Sequence, residues 1–253
     1  MAIEESVHFR RLRKLVGKAI GDFSLIEAGD RIAVAVSGGK DSYVLLHLLE
    51  SLRRRAPVRY ELVAVNVDAG FPGYRQEVLA AHLQEHGFAT RLQSTEMADI
   101  IDAKLRPGSS YCAFCARLRR GVLYSICADL GCNKLALGHH LDDFIETLLL
   151  NQFFVGKLAA MSPRMLADNG RQTVIRPLVY VEESAVAALA SELQVPIIDC
   201  GCPVQGTEEQ QRQRMKSLVG QLAQEIPQLR RSLLGAMGNV QPRHLLDLHL
   251  QPS

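Results

Sequence analysis

No stretch of this sequence approaches the roughly 20 consecutive apolar residues of a membrane-spanning helix. The first residues, MAIEES, are acidic and carry no secretory apolar run. From these two absences we expect a cytoplasmic protein with no membrane partner. No internal repeat and no low-complexity segment is visible, which argues against solenoid and fibrous architectures. A large charge of one sign is missing too: the formal net charge is +2, so a polyanion would have to be met by local clusters. Two clusters exist, Arg10, Arg11, Arg13, Lys14 and Lys18 near the start, and Arg117, Arg119 and Arg120 further on. On charge alone both read as solvated helix faces. Six cysteines in a reducing compartment are better read as metal or redox chemistry than as a disulfide framework.

What is present is an alternation of strands and helices. The 253 residues, 47% hydrophobic and 22% charged, can bury a substantial core. Apolar residues recur at helical spacing from Val7 to Ile26, with the basic residues between them, which predicts an amphipathic leading helix. Buried strands are expected at 32–36, 62–67, 89–93 and 134–137, and helices at 43–54, 76–86, 97–105, 116–130 and 142–154. The segment RPGSSYCAFC reads as a loop before the fourth of these helices. A short strand at 173–176, a helix at 182–193 and a helical, basic tail follow. Alternating strands and helices predict an α/β fold with a parallel sheet, whose ligands sit at the carboxyl ends of the strands.

The most informative stretch is Ser37-Gly38-Gly39-Lys40-Asp41-Ser42, set between a buried strand and a helix. Glycines there can take positive φ and turn backbone N–H groups toward an anion at a helix start. Ser37 and Ser42 add hydroxyls and Lys40 a point charge. The spacing is not that of a Walker loop. Asp41 reads either as a helix cap or as a carboxylate set beside phosphates, which makes sense with magnesium between them. Asp68 ends the second strand. Gly138-His139-His140-Leu141-Asp142-Asp143 opens a later helix with paired acids, which alone could simply oppose the helix macrodipole. Cys112 and Cys115 form a C-x-x-C pair; Cys200 and Cys202 come much later, and Cys127 and Cys132 read as core thiols. Three thiolates would leave a metal site open, whereas four would close it, as in structural zinc.

SGGKDS after a strand, with GHHLDD, resembles the PP-loop N-type ATP pyrophosphatases. CAFCARLRRGVLY, LGHHLDDFIETLLLN, VIRPL, VPIIDC and NVQPRHLLD resemble the tRNA 2-thiocytidine synthetases, the TtcA family. That resemblance implies a Rossmann-like, adenine nucleotide alpha hydrolase-like sheet over residues 29–200, with a leading helix at 1–28 and a helical extension at 201–253. It implies an ATP-dependent tRNA sulfurtransferase that adenylates the C2 oxygen of an anticodon-loop cytidine, position 32, and replaces it with sulfur. Lys40, Asp41 and Asp142 would be catalytic. Ser37 to Ser42, Asp68 and Gly138 would bind ATP, and Asp41, Asp142 and Asp143 magnesium. Cys112, Cys115 and Cys202 would hold a [4Fe-4S] cluster, and Arg117, Arg119 and Arg120 would contact tRNA. The family has C-x-x-C at the later pair, and this sequence has Cys200-Gly201-Cys202; Cys202 keeps the spacing to Gln205, with Cys200 as the alternative. Sulfide or a cysteine desulfurase would donate sulfur, and a homodimer is expected. A uridine thiolase of the same superfamily, a lysidine synthetase and a zinc-stabilised tRNA- or nucleotide-binding module are the other readings.

Overall fold

The computed structural model describes residues 6–106, 108–199, 201–202 and 207–246. In chain order the elements are α1 (Val7–Asp22), β1 (Arg31–Ala35), α2 (Lys40–Arg53), β2 (Glu61–Asp68), α3 (Gln76–Glu85), β3 (Thr90–Ser94), α4 (Met97–Lys104), α5 (Tyr111–Asp129), β4 (Lys134–Ala136), α6 (Leu141–Leu150), β5 (Arg164–Leu166), β6 (Thr173–Ile175), α7 (Glu183–Glu192), α8 (Thr207–Glu225) and α9 (Leu229–Gly238). They form two compact units, residues 1–140 with 162–210 and residues 141–161 with 211–253.

The first unit holds a six-stranded sheet of order β3-β2-β1-β4-β6-β5. Every neighbouring pair is parallel except β5 with β6. The order of connection reverses between β1 and β4, where the α/β topology leaves a crevice at the carboxyl ends of the strands. Burial on both faces explains why β1 and β2 read as continuous apolar runs and not as alternating ones. Beneath them α2 is buried nearly all round, through Tyr43, Val44, Leu45, Leu46, Leu48 and Leu49. On α1, Ser6 caps the helix by accepting from the Phe9 amide at 3.0 Å, and Phe9, Leu12, Val16 and Ala19 form the buried stripe that the periodicity predicts.

Three local expectations change. The C-x-x-C segment is helix and not loop: Ser110 accepts from the Ala113 amide at 3.1 Å and starts α5 at Tyr111. Cys112 and Cys115 therefore lie three apart on one helical face. The helix expected over 142–154 is α6 followed by a π-helical turn at Asn151–Val155. The antiparallel edge strand β5 has three exposed residues and so no apolar pattern to announce it.

In the second unit Leu141, Ile145 and Val219 are buried, with Leu149, Leu229, Leu233, Leu234 and Met237 packed against them. Among the described residues no helix is long and apolar enough to cross a membrane.

Candidate active site

The loop after β1 is assembled largely from its own polar groups. Ser42 Oγ donates to the Gly39 carbonyl at 2.8 Å and accepts from the Ser37 amide at 3.2 Å. Gly38 has φ +90°, in the region that favours glycine, and a Cβ there would also meet the Ile198 side chain at 3.1 Å. Gly39 then stands at the N-cap of α2, so the positive end of that helix faces outward from the loop. From behind, Asn66 donates to the Val36 carbonyl at 2.7 Å and to the Tyr74 hydroxyl at 2.6 Å, and Tyr74 donates to the Ser37 carbonyl at 3.3 Å. Asn66 and Tyr74 are supports that the motif did not announce; a fully buried Asn in an apolar strand was the available signal.

Lys40 points into this crevice with Nζ 3.2 Å from Asp41 Oδ1 and 3.1 Å from Glu183 Oε1. Burial works against its charge, but Asp41 and Glu183 outweigh that, so Lys40 holds its proton more tightly than a free lysine. Glu183, in the first turn of α7, lies 143 residues from Lys40, and nothing local in the sequence marks it. Asp41 Oδ1 is buried and accepts no hydrogen bond; the Lys40 ammonium and the His140 imidazole, whose Nε2 is 3.8 Å away, lie nearest it. A buried carboxylate oxygen left in this state fits a hard cation.

From the neighbouring strand, Gly138 closes on the same loop: a Cβ would lie 3.1 Å from the Asp41 carbonyl carbon and oxygen and from the Ser42 amide. A glycine is therefore needed for the two signatures to touch. Asp68, at the end of β2, accepts from the Gly70 amide at 2.8 Å, a turn that fixes its carboxylate at the strand end. In the second unit Asp142 accepts from Arg230 Nε at 2.7 Å, while Arg212 donates to Asp143 at 3.4 Å and to Glu146 at 3.2 Å. Arginines of α8 and α9 thus supply countercharge to the paired acids, a role not read from the sequence.

The thiols form a second group in the first unit. Cys115 and Cys202 pack against the cluster that contains Phe71, Leu123 and Ile126. Burial and then Asp102 raise the proton affinity of the Tyr111 phenol, and Cys202, Cys115 and Cys112 act on it in the same direction. Cys200 lies outside the described residues. Gly201 has φ +66°, and a Cβ there would sit 2.6 Å from the Pro72 carbonyl oxygen, which accounts for a glycine between the two cysteines. Cys127 and Cys132 are buried; burial pushes the Cys127 thiol up to about 12 and the Cys132 thiol in the same direction, as suits core residues.

The three arginines do not share one environment. The Arg117 guanidinium stacks over Phe114 at 5.1 Å, and Arg120 is exposed. Arg119 is half-buried, with Nε making no hydrogen bond. A fourth, Arg176, donates to His139 Nδ1 at 3.2 Å; burial and then repulsion from Arg120 lower its proton affinity, against the pull of Tyr124.

One short segment ties the two groups together. The Ile198 amide donates to the Gly38 carbonyl at 3.0 Å, and Cys202 follows four residues later. At most about 3.6 Å per residue, the chain holds the Ile198 and Cys202 Cα atoms within roughly 14 Å.

Comparison with known proteins agrees with this picture. Residues 5–199 match the family model of the PP-loop domain. A tRNA-cytidine(32) 2-sulfurtransferase of Syntrophotalea carbinolica is 70% identical over 99% of this chain and 97% of its own. One of Geobacter sulfurreducens is 63% identical over 99% and 98%. The U34-tRNA thiolase NcsA of Methanococcus maripaludis, solved with its [4Fe-4S] cluster, superposes with a TM-score of 0.74 at 22% identity, covering 93% of this chain and 80% of that one. This last likeness is one of fold.

Proposed function

The chain belongs to the tRNA-cytidine(32) 2-sulfurtransferase family, and from that premise we propose that it uses ATP to activate C2 of cytidine 32 in tRNA and replaces the oxygen with sulfur. The observation that carries this reading is the tie from Gly38 through Ile198 to Cys202. It limits how far the Cys202 thiol can lie from the proposed phosphate-binding loop.

In this reading the cytosine carbonyl oxygen attacks the α-phosphate of ATP and pyrophosphate leaves. The activated base then loses AMP to incoming sulfur, which replaces a poor leaving group with a good one. Lys40 and the amides at the start of α2 stabilise charge on the departing pyrophosphate, as preorganised electrostatic catalysis requires. Glu183 holds the Lys40 ammonium in place. Asp41, with its buried Oδ1, would hold magnesium, which supplies charge neutralisation at the phosphates when bound. Asp142 and Asp143, the acids of the second signature, are met by arginine in this structure.

Cys112, Cys115 and Cys202 would hold a [4Fe-4S] cluster. Three cysteine ligands would leave one iron of such a cluster open to hold sulfide. Sulfide would supply the sulfur directly, or a cysteine desulfurase would supply it as a persulfide from which a thiol reductant, oxidised to a disulfide, releases sulfide. Arg117 and Arg120, exposed on the helix that carries Cys112 and Cys115, would contact tRNA phosphates. The target base has to leave its stack, which costs less in a loop than in a duplex.

The test is product analysis with purified cluster-loaded protein, ATP, magnesium, sulfide and tRNA transcripts. AMP and pyrophosphate should form with a transcript bearing cytidine at position 32. Equal turnover with uridine there, or ADP as product, would overturn the proposal.

A further inference from the structure

Apart from the loop and the thiols, one cluster of metal-ligating side chains stands out in the first unit. His47 on α2 and His82 on α3 face each other with their Nε2 atoms 3.1 Å apart, and His86, the C-cap of α3, packs on both rings at centroid distances of 5.0 and 4.2 Å. One nitrogen from each of the three residues can be chosen so that all lie within 4.8 Å of one another. Among the described residues no other three histidine, cysteine or carboxylate side chains gather this closely.

Several features go beyond packing. His86 Nδ1 lies 2.9 Å from the His82 carbonyl oxygen. A proton on Nδ1 donated there leaves Nε2 with its lone pair free, the backbone-carbonyl arrangement that orients a metal-ligating histidine. Tetrahedral Zn–N bonds of 2.0–2.1 Å place ligand nitrogens about 3.3 Å apart, close to the separation already present between His47 and His82. Graded exposure suits an entry path: His82 is buried, His47 is half-buried and His86 is exposed. Phe88 stacks parallel to His86 and meets His47 edge-on, and Tyr43 meets His82 edge-on, so the rings are held in an apolar frame. Burial holds His47 down at about 3 and His82 at about 4, with His86 lowering both further, Arg54 adding to the effect on His47 and Glu85 opposing it on His82. At neutral pH these two imidazoles are therefore neutral, the state that binds metal.

We propose that His47, His82 and His86 form a binding site for a borderline divalent transition-metal ion such as zinc, with water completing the coordination. Binding replaces the hydrogen bond between the two Nε2 atoms, and the donating ring moves that proton to its other nitrogen. The ion pins α3 to α2, the helix whose N-terminus carries residues 37–42. Three imidazoles and no carboxylate favour zinc, nickel, copper or cobalt over magnesium or calcium.

The experiment compares chelator-stripped full-length wild type with His86→Ala and His47→Gln, each checked for folding by circular dichroism. After incubation with zinc alone and desalting, zinc content is measured, and thermal unfolding is followed with and without zinc. Because the cysteines are the same in all three proteins, the difference in content isolates the histidine site. The proposal expects wild type to hold one more zinc per chain than His86→Ala, a loss of at least about tenfold in affinity in both variants, and a zinc-induced rise in Tm larger in wild type than in either variant. His86 is exposed, so its removal leaves the core intact and keeps the comparison readable if His47→Gln does not fold. Equal zinc content and equal Tm shifts in wild type and His86→Ala would overturn it.

Discussion

The nucleotide loop and the thiol group are built on opposite plans. Residues 37–42 are contiguous and bonded to one another, with Ser42 bridging Ser37 and Gly39, while Asn66, Tyr74 and Gly138 brace them from behind and beside. Cys112 and Cys115 come from one helix and Cys202 from a distant irregular segment, and Cys115 and Cys202 both pack against the apolar cluster that contains Phe71. The loop is preorganised before any ligand arrives, as electrostatic catalysis of phosphoryl chemistry needs. The thiols are only brought near one another, and a bound cluster would complete their geometry, much as metal binding and folding are coupled elsewhere.

The largest expected effect separates the two groups outright. Cys202→Ser should reduce iron and sulfide content to background and abolish tRNA thiolation, yet leave single-turnover, tRNA-dependent release of pyrophosphate within about twofold; simultaneous loss of pyrophosphate release would show that the groups are not separable. Lys40→Ala is the reciprocal change, expected to lower AMP formation at least about a hundredfold with iron content unchanged, as measured by metal analysis of the purified variant. Gly138→Ala acts more gently. Its Cβ presses on the Asp41–Ser42 peptide, so we expect a rise of roughly tenfold in KM for ATP with the thiols untouched; an unaltered KM would remove the close approach from the account. Smallest of all on function is Cys127→Ser, which buries a hydroxyl in an apolar cluster. It should cost about 1–3 kcal/mol of stability in denaturant unfolding and leave both cluster content and thiolation at wild-type levels.

The same contrast explains what could be read from the sequence. SGGKDS is six adjacent residues whose chemistry and strand–helix setting are both local, so the loop and the parallel sheet around it were legible, as was the leading helix from its stripe of Phe9, Leu12, Val16 and Ala19. Glu183 was not, because its partnership with Lys40 depends on how α7 packs against α2. Arg230 and Arg212 escaped for the same reason. The start of α5 was misplaced because Gly108 and the two serines look like a continuing loop. The cap signal was nevertheless present in Ser110, which faces the Ala113 amide three residues on. The histidine cluster shows the reverse case: His82 and His86 stand at helical spacing, but His47 joins them only through packing of α2 on α3.

The central claim is that both groups serve one reaction on one base. Its most direct measurement is nucleoside analysis of total tRNA from cells lacking the gene, complemented in turn with wild type, Lys40→Ala and Cys202→Ser. The account predicts that 2-thiocytidine disappears on deletion and returns with wild type alone. Persistence of 2-thiocytidine in the deletion strain, or its restoration by either variant, would contradict it.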